Sequence, residues 1–219
     1  MFYKNPKLVK VIKSQNLLGE GIFVSNGKAA WVDIDKKEIM IYHNKLKKFS
    51  VAHIPTNVFS FKNDYLEILT EKGIKIFSVR RKDFINSKKN FDFNLKKNLR
   101  TNDGVKIGKH YIYGTMGKKS SFQDHGFLES ITKDKQYKFE NKIKIPNSFI
   151  KMPKNSFLVS DSLDSKIWEY KYSKNFNSFS KFLWKDLKKE YIPDGGCRIR
   201  NNIFICFWDS GLIGKFDLK

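Results

Sequence analysis

AAWVDIDKKEIMIYH, residues 29–43, holds two short apolar runs joined by a polar Asp-Lys-Lys turn. Alternating β-branched and aromatic residues on both sides of such a turn read as strand, tight turn, strand. The same unit recurs as YLEILTEKGIKIFSV (65–79), HYIYGTMG with HGFLESI (110–131), SFLVSDSLDSKIWEYKY (156–172) and NIFICFWDSGLIGKFD (202–217). Successive units start 36, 45, 46 and 46 residues apart, the period of four-stranded propeller blades. Shorter candidates, VFSFK (58–62) and SFIKM (148–152), supply innermost strands. A two-sheet sandwich is the competing architecture for many short strands, and the regular spacing favours the propeller. Helical patterns are scarce: NSKKNFDFNLKKNLR (86–100) reads as a loop, and WKDLKKEY (184–191) has room for one helical turn. No linker divides the chain, so residues 1–219 are expected to form a single all-β propeller domain.

Composition narrows the function. With 40% apolar and 15% aromatic residues among 219, the chain has enough for a core. No apolar run is long enough to cross a bilayer, and the first twenty residues lack the apolar stretch of a secretory signal. A soluble cytoplasmic protein is expected. The formal charge of +21 comes almost wholly from lysine, scattered through turns, with arginine only at positions 80, 81, 100, 198 and 200. Base and phosphate recognition favours the planar guanidinium, so the excess reads as solvated surface rather than a nucleic-acid face. Cys197 and Cys206, in separate predicted strands, are expected to be reduced core residues. Trp31, Trp168 and Trp208 hold similar places in three units and are expected to pack between blades. The histidines at 43, 53, 110 and 125 all read as structural or solvated, and His125, in the loop after GTM, is the one to test as a ligand contact.

Four polar stretches interrupt the strand pattern: LGEG (18–21), RTNDG (100–104), IPNS (145–148) and IPDG (192–195), each just ahead of a predicted innermost strand. In a propeller those strands line the central channel, so Glu20, Asn102, Asp103, Asn147 and Asp194 can converge at one mouth. Such an all-oxygen set suits Ca²⁺, Mg²⁺, Mn²⁺ or a catalytic Zn²⁺. Asn-Asp-Gly and Pro-Asp-Gly are also good turn sequences, and the residues alone leave both readings open.

The ordered set LGEG, WVDI (31–34), R-x-N-D-G, GTM (114–116), IPN, VSDS (159–162) and PDGGC (193–197) is similar in order and spacing to the SMP-30/gluconolactonase (regucalcin-like) family, from about residue 17 onward. The resemblance implies a propeller, normally six-bladed, that holds one divalent metal and hydrolyses sugar lactones. Carried over by motif, it implies Glu20, Asn147 and Asp194 as metal ligands, with Asp194 also the acid/base, and Arg100 and Asn102 as substrate contacts. A non-catalytic propeller that binds a metal, sugar or protein through the same channel is the alternative. Three departures stand out. Lys119 occupies a position where an acidic substrate contact is usual, implying an acidic lactone or, equally, a role for Gln123 or Asp124 instead. Ser148 follows Asn147 where glycine is usual. Only five strand units are visible, so either a six-blade template is shortened at its C-terminal side or the ring is smaller.

Overall fold

The computed structural model describes residues 10–118 and 125–218, so Lys119, Gln123 and Asp124 lie outside the described residues. Twenty strands form five antiparallel sheets, and each sheet follows chain order from its innermost strand outward. Blade 1 is β1 (Gly19–Ser25), β2 (Lys28–Asp33), β3 (Glu38–Tyr42) and β4 (Leu46–Ser50). Blade 2 is β5 (Pro55–Lys62), β6 (Tyr65–Thr70), β7 (Gly73–Ser78) and β8 (Asp83–Ile85), with the two-residue β9 (Phe91–Asp92) also paired to β7. Blade 3 is β10 (Leu99–Ile107), β11 (His110–Gly117), β12 (Gly126–Ile131) and β13 (Gln136–Ile143). Blade 4 is β14 (Pro146–Met152), β15 (Ser156–Asp161), β16 (Lys166–Tyr172) and β17 (Phe179–Asp186). Blade 5 has three strands, β18 (Pro193–Ile199), β19 (Asn202–Phe207) and β20 (Leu212–Asp217).

The five repeats of the sequence are the middle hairpins of these blades. Local chemistry closes the turns: Asn26-Gly27 and Lys154-Asn155 both take positive φ at consecutive positions, the conformation of the two-residue turn that matches strand twist. The stretch 184–191 contains no helix; β17 runs to Asp186 and a turn follows. Part of 86–100 is strand rather than loop, because β9 and the start of β10 fall within it.

Alternation on each strand sends apolar side chains to both sheet faces, so neighbouring blades share a core. Ala30, Val32 and Ile39 meet Val58, Leu66 and Ile68 between blades 1 and 2. Phe59, Leu69 and Ile74 meet Tyr111, Tyr113 and Ile131 between blades 2 and 3. Ile112 and Leu128 meet Phe157 and Val159 between blades 3 and 4. Leu158 and Ile167 meet Ile203 and Ile205 between blades 4 and 5. The innermost strands pack in succession, β1 on β5, β5 on β10, β10 on β14, and β14 on β18, but β18 makes no comparable contact with β1. Among the described residues this is a shortened, open propeller.

The open ends correct two expectations. Cys197 and Cys206 are free but exposed rather than in the core, because they lie on the face of blade 5 turned away from blade 4. Trp208 is 62% exposed and seals no seam, whereas Trp168 packs against the core between blades 3 and 4. Trp31 belongs to the open face of blade 1, where its Nε1 donates to Asn16 Oδ1 at 3.1 Å. His110 is buried, stacked on Phe176 at 3.8 Å, the structural role expected of it.

Candidate active site

All four polar motifs sit in the first residues of innermost strands rather than ahead of them. Each coincides with an irregularity in pairing: between Glu20 and Phe23, Thr101 and Gly104, Asn147 and Ile150, and Pro193 and Gly196. A bulge bends a strand and re-aims one side chain, so the repeated bulge is the device that turns polar residues toward the hub. Blade 2 carries the same break between Pro55 and Asn57. Its motif, Ile54-Pro55-Thr56-Asn57, went unread in the sequence. The Ile-Pro that also opens blades 4 and 5 was the signal that could have found it.

Glu20, Asp103 and Asp194 line one cavity of about 900 Å³. Burial, then repulsion from Asp194 and Asp103, pushes Glu20 up to about 8 despite attraction from Arg100. Burial likewise raises Asp103 to about 7, with Asp194 adding to the shift and the N–H groups of Gly104 and Phe149 opposing it. Asp194 is raised too, chiefly by burial. Three carboxylates from blades 1, 3 and 5 therefore share a partly desolvated space.

The amides of Asn102 and Asn147 lie beside this cavity, whereas Asn57 is on its wall. Arg100 Nη1 donates to Asn102 Oδ1 at 2.9 Å. Asn102 Nδ2 donates to Asn147 Oδ1 at 2.7 Å and to the Pro146 carbonyl at 3.0 Å. Asn147 Nδ2 donates to Ser162 Oγ at 3.0 Å, and Ser162 Oγ to the Pro193 carbonyl at 2.6 Å. This chain ties blade 3 through blade 4 to blade 5. Ser148, in the left-handed region at φ 53, hydrogen-bonds through its hydroxyl to the Asp194 carbonyl. The serine in place of glycine thus links two motif segments, a role that glycine could not fill.

The glycines that follow Glu20 and Asp194 differ in what they do. Gly21 has φ +59, and a Cβ there would fall 2.5 Å from the Asn57 Cα, so only glycine lets blades 1 and 2 approach beside Glu20. At Gly195 a Cβ would meet nothing within 4 Å; the backbone next to Asp194 borders open space.

The aspartates of WVDI and VSDS are architectural. Asp33 accepts from the backbone N–H of Leu17 (2.8 Å), Leu18 (3.2 Å) and Lys36 (3.1 Å). Burial would raise its pKa, but these bonds and one from Asn16 outweigh it and hold Asp33 low. Asp161 accepts from the N–H of Lys144 and Ile145 in the equivalent place of blade 4.

Could these residues hold a divalent cation? Among the described residues no three His, Cys, Asp or Glu are grouped tightly enough to chelate one unaided, so an amide oxygen or water must complete the set. Asn147 Oδ1 accepts one hydrogen bond and retains a second lone pair. The donors are all hard oxygens, and Arg100 is the cation that offsets Glu20. The residues fit.

The family model described as the SMP-30/gluconolactonase/LRE-like region matches residues 18–219. No curated protein matches the chain. Among solved structures, the chain is similar to regucalcin, a calcium-binding protein from Agrobacterium tumefaciens, at 19% identity and TM-score 0.81, covering 92% of this chain and 71% of that one. A luciferin-regenerating enzyme gives 19% and 0.81, covering 93% and 73%. Virginiamycin B lyase from Staphylococcus aureus gives 9% and 0.61, covering 95% and 72%. At those identities the likeness speaks to the fold alone.

Proposed function

This chain belongs to the SMP-30/gluconolactonase/LRE-like family, and from that premise we propose that it is a metal-dependent hydrolase that opens sugar lactones. The observation that carries the reading is the convergence of Glu20, Asp103 and Asp194 on one cavity, beside the Arg100–Asn102–Asn147 chain. Glu20, Asn147 and Asp194 would hold one divalent ion, which when bound would polarise the lactone carbonyl and acidify a water. Asp194 is the general base that takes a proton from water and the acid that returns it to the leaving alkoxide. Asp103 adds a third negative charge beside that proton path. Arg100 and Asn102 orient the sugar hydroxyls or a carboxylate of an acidic lactone, a contribution of position rather than of bond-making. Lys119 is proposed as a further contact for such a carboxylate.

Turnover of a panel of aldono- and uronolactones with Mn²⁺, Zn²⁺, Mg²⁺ or Ca²⁺ tests the reading. The expected result is ring opening above background with at least one metal. Background rates with all four, from folded protein that still binds metal, would identify a binding propeller instead.

A further inference from the structure

Blade 2 brings to the hub one polar side chain that the proposed machinery leaves unused. Four of the described residues lining the cavity carry side-chain oxygens: Glu20, Asn57, Asp103 and Asp194. Asn57, which closes the blade-2 bulge, is the uncharged one. It is wedged between two motif glycines. A Cβ on Gly21 would stand 2.5 Å from the Asn57 Cα and 2.8 Å from its Oδ1, and Asn57 Nδ2 donates to the Gly104 carbonyl at 2.7 Å. Gly21 follows Glu20 and Gly104 follows Asp103, so the amide stands between the strands that carry two of the three carboxylates.

That geometry fixes the direction of the amide. A carbonyl accepts and never donates, so the group facing Gly104 is the NH₂, and the amide oxygen points elsewhere. Asn57 Oδ1 accepts no hydrogen bond among the described residues, although Asn57 is 5% exposed. The oxygen is not sealed in, because Ser160 Oγ is the one buried side-chain polar atom among the described residues with neither a partner nor access. What remains accessible of Oδ1 opens on the cavity that Asn57 lines. An acceptor so confined needs a donor from a ligand or from water, since a buried polar atom left unpaired is costly.

We infer that Asn57 is a specificity-determining residue of the lactone site, its Oδ1 accepting a hydrogen bond from one ring hydroxyl of the substrate. This rests on the lactonase reading and narrows it to lactones with a hydroxyl on the side that faces blade 2. The division of labour follows from the chemistry of the groups. Arg100 can only donate, and so suits a carboxylate or hydroxyl oxygen. Asn57 accepts, and so reads a hydroxyl hydrogen. A neutral acceptor does this without adding a fourth negative charge to a space where repulsion already lifts Glu20 and Asp103. A site built to bond a hydroxyl discriminates against the analogue that lacks it, because its own polar atom then goes unpaired.

The test is a cycle over protein and substrate. δ-Gluconolactone and its 2-, 3-, 4- and 6-deoxy analogues are compared in wild type and Asn57→Ala, under the metal that supports turnover. In wild type, removal of one particular hydroxyl should lower kcat/KM roughly ten- to a hundredfold. In Asn57→Ala the same removal should cost about two- to threefold at most, while the other analogues keep their wild-type ratios, the signature of a direct pair. A loss equal on every substrate would make Asn57 a prop for Gly104, overturning the inference and leaving the lactonase reading standing. Opening of no lactone would overturn that reading, and the inference with it. A readout free of turnover, and of the variant's folding, is a wild-type crystal soaked with gluconate, the ring-opened product. The expected result is a gluconate hydroxyl within hydrogen-bonding distance of Asn57 Oδ1. An Oδ1 that meets water alone, or that ligates the cation, would overturn the inference.

Discussion

Metal-free protein should lose stability as pH rises from 5 to 8, and Glu20 should be a principal cause, with Asp103 beside it. Burial and the repulsion of Asp194 and Asp103 lift its pKa from 4.5 to about 8, so the folded state holds this proton more tightly than the unfolded chain. The support for folding is therefore complete below about 4.5 and is lost progressively as pH climbs through about 8. That interval, at about 1.4 kcal/mol per pH unit, sets a ceiling on the order of 5 kcal/mol. Asp103, raised to about 7, titrates in the same space, so the two losses overlap rather than add. A net fall of about 3–5 kcal/mol lowers Tm by on the order of 10 °C for a chain of this size. Urea denaturation in EDTA at half-unit pH steps measures it, with Glu20→Gln as the control that should reduce the slope and leave the part owed to Asp103. Saturating Mn²⁺ should flatten the wild-type profile, because the cation takes the place of the proton. A flat metal-free profile, or an equal slope in Glu20→Gln, would refute the reasoning.

Three further outcomes are expected. Asp194→Asn should bring lactone turnover to background and weaken metal affinity at least tenfold by calorimetry; an unchanged rate would remove Asp194 from the chemistry. Asp33→Ala strips three backbone N–H groups of a charged acceptor and should cost about 2–4 kcal/mol in urea denaturation, a loss below 0.5 kcal/mol contradicting the role given to it. Tyr113→Phe removes the hydroxyl that donates to buried Glu129 at 2.9 Å and should cost about 1.5–3 kcal/mol, read from the same denaturation midpoints at constant slope.

The blades were legible because their code is local. An alternating run, a polar turn and a second run specify a hairpin wherever they occur, and a spacing near 45 residues stacks the hairpins radially. The bulges were not legible, because they arise only when a polar motif is forced into an inner strand that must also pair. This is why the motifs were expected ahead of the strands, and why Thr56 and Asn57 went unnoticed. Asn57 Nδ2 in fact reaches the Gly104 carbonyl at 2.7 Å and Thr56 meets Thr101 at 3.0 Å, tying blade 2 to blade 3. Glu20 and Asp194 do share a cavity. Asn147 borders it through Asn102 and Ser162, a placement that depends on side-chain hydrogen bonds no spacing reveals. The cysteines and Trp208 were misplaced for one reason: apolar residues on an alternating strand read as core whether or not a neighbouring sheet covers that face.

The most direct test of the hub is the anomalous difference map of a crystal grown with Mn²⁺. The account predicts one strong peak among the Glu20, Asn147 and Asp194 oxygens, lost in Asp194→Asn. A peak elsewhere, or none at that hub while Mn²⁺ is saturating, would contradict it.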